Sequence, residues 1–183
     1  ILAFFIPVIS GVNVVDVVTL VLGNGSTKLS EAYTIAIFGS MLSIMMQKTG
    51  VAESFIKTGA ELSGDKPWAI SMVMLLLITL LFTTLGGLGA IIMVSTVVLP
   101  ILASVGVGPV TTTGIFLTGL SIGGILNVGN WAVYTQVLKL QTGDVQSFAL
   151  VMLLIMFVIA IIYITIQLYR DGHDINFSKI AIY

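Results

Sequence analysis

The sequence predicts an all-α integral membrane protein, and three observations carry that prediction. Of the 183 residues 57% are hydrophobic and 8% are charged, whereas a soluble domain carries about 25% charged residues. The mean hydropathy is +1.16, and long apolar runs follow one another along the chain. Seven basic and eight acidic side chains are too few to hydrate the outside of a 19.4 kDa globule, so lipid is the expected solvent.

The composition also argues against several classes of function. A net charge of −1 argues against a nucleic-acid partner, which would favour a basic face. The absence of cysteine excludes a disulfide framework and a thiolate metal site. No set of residues resembles a nucleophile, its base and an orienting group. We therefore expect no catalytic residues, no metal site and no cofactor, and the chain is not expected to be an enzyme.

Apolar stretches predict three ordinary membrane spans, at residues 1–22, 32–47 and 147–169, of which the second is rather short. The first contains Pro7, Asn13 and Asp16, and a polar turn over residues 23–27 follows it. Residues 170–183 are polar and are expected to form a cytoplasmic tail. All of these elements are assigned to a single transmembrane domain over residues 1–183.

Residues 50–63 are polar but have helical periodicity. At 100° per residue the apolar side chains form one narrow stripe, consisting of Val51, Phe55 and Leu62. Three charged side chains four residues apart lie opposite that stripe: Glu53, Lys57 and Glu61. This pattern predicts an amphipathic helix in the membrane interface, with Phe55 buried and Lys57 in water.

Residues 68–103 are too long for one span and too short for two. As a single helix they would run about 54 Å, against a hydrocarbon core of roughly 30 Å. Residues 83–89 (Thr-Thr-Leu-Gly-Gly-Leu-Gly) interrupt the run near its middle. We predict a re-entrant hairpin whose two arms, each about 22 Å long, enter and leave on the same side.

The run from Pro109 to Leu140 presents the same problem, since one helix of this length would be about 48 Å long. Its centre is rich in residues that weaken a helix: Gly119, Gly123, Gly124, Asn127, Gly129 and Asn130. The sequence predicts a broken helix over residues 110–140, with arms at 110–122 and 131–140.

The distribution of Lys and Arg favours the hairpin. With a re-entrant hairpin, five basic residues share one side of the membrane: Lys48, Lys57, Lys66, Arg170 and Lys179. Lys28 and Lys139 lie on the other side. A full crossing by residues 68–103 would give a less biased distribution, so the positive-inside rule places the hairpin ends in the cytoplasm.

The order of elements resembles one repeat of the ion transporter superfamily, which includes dicarboxylate, citrate and gluconate carriers and some sodium–proton antiporters. The likeness to citrate- and gluconate-type members rests on Met45-Met46-Gln47-Lys48-Thr49-Gly50-Val51-Ala52-Glu53 followed by Gly64-Asp65-Lys66-Pro67. It covers residues 31–170. Where many dicarboxylate members carry Ser-Asn-Thr at the hairpin tip and at the break, this chain has Thr83-Thr84-Leu85-Gly86-Gly87 and Asn127-Val128-Gly129-Asn130.

The resemblance implies half of an inverted-repeat transporter in a prokaryotic cytoplasmic (inner) membrane. Physical chemistry supports a site at the two breaks, because broken helices expose free N–H groups that suit a carboxylate and free C=O groups that suit Na⁺. Residues 69–138 contain no charged side chain, so such a site would depend on neutral groups. The predicted substrate- and ion-binding residues are Thr83, Thr84, Gly86, Gly87, Gly89, Ser121, Asn127, Gly129 and Asn130.

Each candidate also has a structural interpretation. The glycines at the tip are also found on helix-packing surfaces, an interpretation that the length of the run disfavours. Asn127 and Asn130 are equally typical of hydrogen bonding between helices. Asp16 is a candidate proton relay because it is ionisable within a span, but an interfacial position paired with Lys28 would also explain it.

The predicted function is secondary transport of a small organic anion, a carboxylate, coupled to Na⁺ or H⁺. The alternatives are the half-subunit of a cation/proton antiporter and a non-transporting structural subunit of a larger membrane complex. One repeat cannot enclose a site between two hairpins, so a second half-transporter is the expected partner. The basic residues favour one orientation, and hence a heteromeric partner over an antiparallel homodimer.

Overall fold

The computed structural model describes residues 2–28 and 30–172, and every regular element within them is helical. In chain order the helices are α1 (Leu2–Ile9), α2 (Val14–Val18), a π-helical segment (Thr19–Asn24), α3 (Gly25–Lys28), α4 (Ser30–Lys48), α5 (Val51–Ser63), α6 (Pro67–Phe82), α7 (Leu88–Ser104), α8 (Pro109–Ile125), α9 (Val128–Leu138) and α10 (Thr142–Arg170).

The longest helix, α10, has 29 residues and is about 44 Å long. Within the described residues it is the one helix long and apolar enough to cross a membrane by itself. Two bent pairs have the composition of a span when taken together: α4 with α5, bent by 62°, and α8 with α9, bent by 50°. These features are consistent with a membrane protein.

The starts of α6 and α8 lie beside the carboxyl-terminal end of α10, in a region called here the base of the fold. The Thr111 hydroxyl and the Gly108 N–H donate to the Asp171 carboxylate at 2.6 and 2.9 Å, which joins the start of α8 to the end of α10. The Trp68 indole donates to Thr165 Oγ1 at 3.2 Å, which brings the start of α6 to the same end.

The hairpin formed by α6 and α7 has both of its ends at the base. Gly106, with φ of 84°, turns the chain from α7 into α8 within a few residues. Because α8 begins beside Asp171 and α6 begins beside Thr165, the chain enters and leaves this hairpin at the same end of α10. Its tip, residues 83–87, lies about 24 Å from the base, near the middle of α10.

Helices α6 and α8 run parallel in very close contact. A Cβ at Gly119 would lie 2.8 Å from Ile78 Cγ2, and one at Gly123 would lie 2.6 Å from Thr79 O. The prediction that α8 ends before Gly123 is therefore wrong, whereas Gly119 is helical, as the predicted arm over residues 110–122 has it. Both are helical, and their lack of a side chain lets α6 approach along a Gly-x-x-x-Gly face. The break follows at Leu126 and Asn127, so the second arm is Val128–Leu138.

The amphipathic helix α5 packs along the hairpin. Ala52 and Ile56 are fully buried, and Gly59 sits directly under the Leu77 side chain. Phe55 is 45% exposed, so its predicted burial is wrong. The apolar stripe that contains Phe55 faces away from the hairpin. The smaller side chains of Ala52 and Ile56, each one residue after a member of that stripe, make the tight contact with the hairpin. Lys57 is exposed as predicted and pairs with Glu53 at 2.7 Å.

Helix α5 does not lie across the base, as a helix in the membrane interface would. Gln47, just before α5, reaches Gly89 near the hairpin tip, and α5 ends immediately before α6 begins at the base. The helix thus runs from tip to base alongside the hairpin. Lys48 lies near the level of the tip, so the five-to-two division of basic residues does not carry over to the structure. Lys66 and Arg170 do lie at the base, and Lys139 follows α9 at the other end.

The predicted first span is not one continuous helix. It divides into α1, α2 and a π-helical segment because Gly11 has φ of 88° and Asn13 caps a new helix by accepting from Val15 N at 3.0 Å. The predicted turn at 23–27 is helical. In the predicted tail Asp171 is docked on α8, and residues 173–183 lie outside the described part of the chain.

Labelling of single cysteines tests the hairpin. Asp65→Cys and Ser104→Cys mark its two ends on exposed residues with ordinary backbone angles, and Gln141→Cys marks the start of α10. We expect a membrane-impermeant maleimide to modify the first two from the cytoplasmic side and the third from the opposite side. Modification of Asp65→Cys and Ser104→Cys from opposite sides would rule out the hairpin.

The close contact of α6 with α8 predicts unequal effects of two adjacent alanines. Gly123→Ala should lower the free energy of unfolding by about 1–3 kcal/mol, because its Cβ overlaps the backbone of α6. Gly124→Ala is the matched control, since its Cβ has its nearest neighbour 3.9 Å away and should be neutral or stabilising by up to about 1 kcal/mol. Denaturant unfolding in detergent measures both values, and equal values would contradict the packing.

Candidate functional site

The hairpin tip and the α8–α9 break are joined by one hydrogen bond. Asn127 Nδ2 donates to Phe82 O, the last carbonyl of α6, at 3.2 Å. This contact follows from the parallel packing of α6 and α8, which have nearly equal lengths of 16 and 17 residues and both begin at the base. The carboxyl-terminal ends of α6 and α8 and the amino-terminal ends of α7 and α9 consequently meet in one region.

At the tip, the two threonines close the end of α6. Thr83 Oγ1 donates to Leu80 O at 2.7 Å, and Thr84 Oγ1 donates to Leu81 O at 3.2 Å. Gly87 has φ of 84° and ψ of 163°, a conformation that L side chains rarely adopt, and it reverses the chain into α7. It gives α7 no side-chain cap.

Backbone donors remain available at the tip. Among the hydrogen bonds of the described residues, none uses the backbone N–H of Gly86, Gly87, Leu88 or Gly89. These amides lie at the amino-terminal end of α7, which carries partial positive charge. The hydroxyl oxygens of Thr83 and Thr84 keep lone pairs that can accept a bond or contact a cation.

At the α8–α9 break, side chains satisfy the backbone. Asn127 Oδ1 accepts from Gly129 N at 2.9 Å and so caps α9. Asn130 Nδ2 donates to Gly124 O at 2.8 Å, and Trp131 Nε1 donates to Ile125 O at 2.7 Å. The amide donors of both asparagines are thus engaged within the chain, and they support the structural interpretation of these residues.

An open cavity of about 800 Å³ lies between the two breaks and α4. Seven of the nine predicted site residues line it: Thr83, Thr84, Gly86, Gly87, Asn127, Gly129 and Asn130. Among the side chains that the structure describes, none of those lining it is charged. A smaller cavity of about 230 Å³ lies on the α7 side, and Gly86, Gly87, Asn127 and Asn130 line both.

The other predicted residues lie elsewhere. Ser121 is exposed on α8 and donates to Leu117 O at 2.8 Å, outside the lining of both cavities. Gly89 lies in the first turn of α7, where a Cβ would be 3.7 Å from the Gln47 amide. Asp16 is exposed on α2, also outside both cavities, and its suggested partner Lys28 has no described side chain.

Helix α4 supplies a wall of the cavity that the sequence did not identify. It passes both breaks, since Ile35 lies beside Gly129 and Gln47 lies beside Gly89. Several of its polar side chains line the cavity or reach the tip: Tyr33, Thr34, Ser40 and Gln47. Ser43 is buried and accepts from Gln47 Nε2 at 3.1 Å. The spacing of Ser40, Ser43 and Gln47 on one helical face was the available signal.

A ligand in this cavity would be bound by uncharged groups. Backbone N–H groups at one helix end suit an anion, and hydroxyl and amide oxygens nearby suit a monovalent cation. No group of three or more His, Cys, Asp or Glu residues that could hold a metal ion occurs in the part of the chain that is described. Comparison with models of known protein families, with curated proteins and with solved structures gave no match.

Two substitutions at Asn127 separate its contacts. Asn127→Asp keeps the acceptor for Gly129 N but loses the bond to Phe82 O, whereas Asn127→Ala loses both. We expect hydrogen exchange at residues 83–85 to speed up in both variants, and exchange at residues 129–131 to speed up in Asn127→Ala alone. One lost buried bond corresponds to about 1–3 kcal/mol of local protection. Unchanged exchange at the tip in both variants would show that this bond does not hold the breaks together.

Proposed function

We propose that this chain is half of a secondary transporter, of the type the ion transporter superfamily represents, which moves a small organic anion coupled to Na⁺ or H⁺. The observation that carries the proposal is the meeting of the hairpin tip with the α8–α9 break beside a neutral cavity. Irregular backbone within an apolar fold is tolerated where protein or a water-filled cavity surrounds it, and transport sites are commonly built there.

The groups around the cavity support a carboxylate as the substrate class. The unpaired N–H groups of Gly86 and Gly87 project from an amino-terminal helix end, and a carboxylate accepts such bonds. The oxygens of Thr83, Thr84 and Asn130 provide neutral ligands for Na⁺ close by. Asp16 is the proposed relay for the H⁺-coupled alternative, and its position outside the lining of both cavities favours Na⁺.

A second half-transporter is the proposed partner. The large cavity is open, and α4 exposes apolar side chains next to it, including Phe38 and Met41. Lys66 and Arg170 at the base, against Lys139 at the other end, favour one orientation in a prokaryotic cytoplasmic membrane. A chain with one preferred orientation pairs most simply with an inverted partner of different sequence.

A structural subunit is the second candidate, and a specific observation favours it. The donors of Asn127 and Asn130 are bound to backbone carbonyls, and Gly119 and Gly123 contact α6. A subunit that only holds a larger membrane complex together, and binds no solute, would make the same contacts at these residues. A cation/proton antiporter half differs from both in moving H⁺ without an organic anion.

Uptake into proteoliposomes distinguishes these functions. We expect radiolabelled citrate, gluconate or succinate to accumulate under an inward Na⁺ or H⁺ gradient, with the chain alone or together with its co-purified partner. Na⁺-driven movement of H⁺, followed with a pH-sensitive dye in the absence of carboxylates, would identify the antiporter. Neither activity in liposomes that contain the intact complex would support the structural subunit.

Filling the cavity should stop transport. Gly86→Leu places a side chain into open space from a residue without positive φ that lines both cavities. We expect uptake to fall by at least about tenfold, which corresponds to roughly 1.4 kcal/mol. Gly143→Leu is the matched control, since it also enters open space but lies at the start of α10. Equal uptake by both variants would contradict the site.

A further inference from the structure

A second, separate groove lies between α9 and α10, away from the cavity at the breaks. It has a volume of about 460 Å³ and is mainly apolar, with Trp131, Tyr134 and Phe148 among its walls and Asp144 as its one charged residue. This size is within the range of small-molecule sites.

The groove follows the bilayer normal if α10 spans the membrane. On α10 its walls are Asp144, Phe148 and Met152, at four-residue spacing on one helical face, so they extend over about 12 Å. On α9 they are Trp131, Tyr134 and Leu138. The deep end is closed by Ile125, whose carbonyl accepts from Trp131 Nε1 at the α8–α9 break.

The mouth of the groove lies at headgroup level. Asp144 and Arg170 are the first and last charged residues of α10, and about 39 Å of helix separates them. The hydrocarbon core is about 30 Å thick, so both charges fall just outside it.

The mouth carries an unpaired carboxylate, and Lys139 lies between Leu138 and Leu140, which both line the groove. The Asp144 carboxylate has no ion pair or hydrogen bond within the described part of the chain. Lys139, in the turn between α9 and α10, is exposed and also has no described ion pair. A zwitterionic headgroup matches this pair, because its ammonium can bind Asp144 while its phosphate binds Lys139.

We propose that the α9–α10 groove binds one amine-headed glycerophospholipid, of the phosphatidylethanolamine type. One acyl chain fills the groove from Asp144 to Ile125, and the primary ammonium donates to the Asp144 carboxylate. A quaternary choline headgroup cannot donate that bond, and a glycerol headgroup has no cation for Asp144. Because the acyl chain ends against Ile125 and Trp131, the lipid contacts the lipid-facing side of the break that forms the proposed transport site.

Lipid retention by the full chain tests the proposal without any transport assay. Protein purified in detergent is equilibrated with equal amounts of palmitoyl-oleoyl phosphatidylethanolamine, phosphatidylcholine and phosphatidylglycerol, and bound lipid is counted by native mass spectrometry. We expect the ethanolamine lipid to be retained about fivefold over the other two, the effect of one hydrogen bond from its ammonium to the Asp144 carboxylate.

Variants separate the headgroup contact from the groove. Asp144→Asn should abolish the preference for ethanolamine, while Asp65→Asn, the same change on an exposed residue at the base, should keep it. Met152→Trp should reduce the amount of every bound lipid by filling the groove, while Ile155→Trp, on the exposed part of α10, should not. A role of Asp144 at the start of α10 alone would change stability without changing lipid preference.

Each of three results would overturn the proposal. The first is equal retention of the three lipids by the parent protein. The second is an unchanged preference in Asp144→Asn, which would assign the headgroup contact to another surface. Cross-linking from Met152→Cys to a second polypeptide in place of lipid would identify the groove as a protein interface and would also reject the lipid site.

Discussion

The fold depends on satisfying the polar backbone at helix ends that lie deep within an apolar structure. Two helices end and two begin in the same region, and every exposed N–H or C=O group there costs free energy unless it finds a partner. Asn127 meets part of this need at both breaks, since its side chain caps α9 and also binds the last carbonyl of α6. The threonines of the tip and Trp131 satisfy the neighbouring carbonyls.

The sequence predicts the larger elements because they follow from length and composition. Two apolar runs exceed one span and fall short of two, and both contain breaks in the structure. Details that depend on contacts between residues far apart in the sequence could not be predicted from length and composition. Nothing local distinguishes the helical Gly123, which packs on α6, from a glycine that ends a helix. For the same reason the periodicity of α5 identified an amphipathic helix but selected Phe55 as its buried residue, where Ile56 is buried.

The candidate site was likewise predictable only in part from the sequence. Residues of the two breaks could be identified because turn-forming and polar residues are conspicuous in apolar runs, and seven of them line one cavity. Ser121 was selected with them, although an ordinary bond to Leu117 O satisfies it on the exposed side of α8. The contribution of α4 was missed because its polar side chains are spread over several turns of an apparently ordinary span. Their proximity to Gly129 and Gly89 exists only in the folded chain.

Helix α8 is confined on two sides by contacts that leave no room for a side chain. A Cβ at Gly108 would overlap Asp171, one at Gly114 would overlap Tyr163, and Gly119 and Gly123 are closed by α6. Selection would therefore tolerate few replacements at these glycines whether or not the protein carries a solute. In a family of such sequences, invariant glycine in α8 would record packing, whereas no such contact constrains Gly86, which lines the cavity.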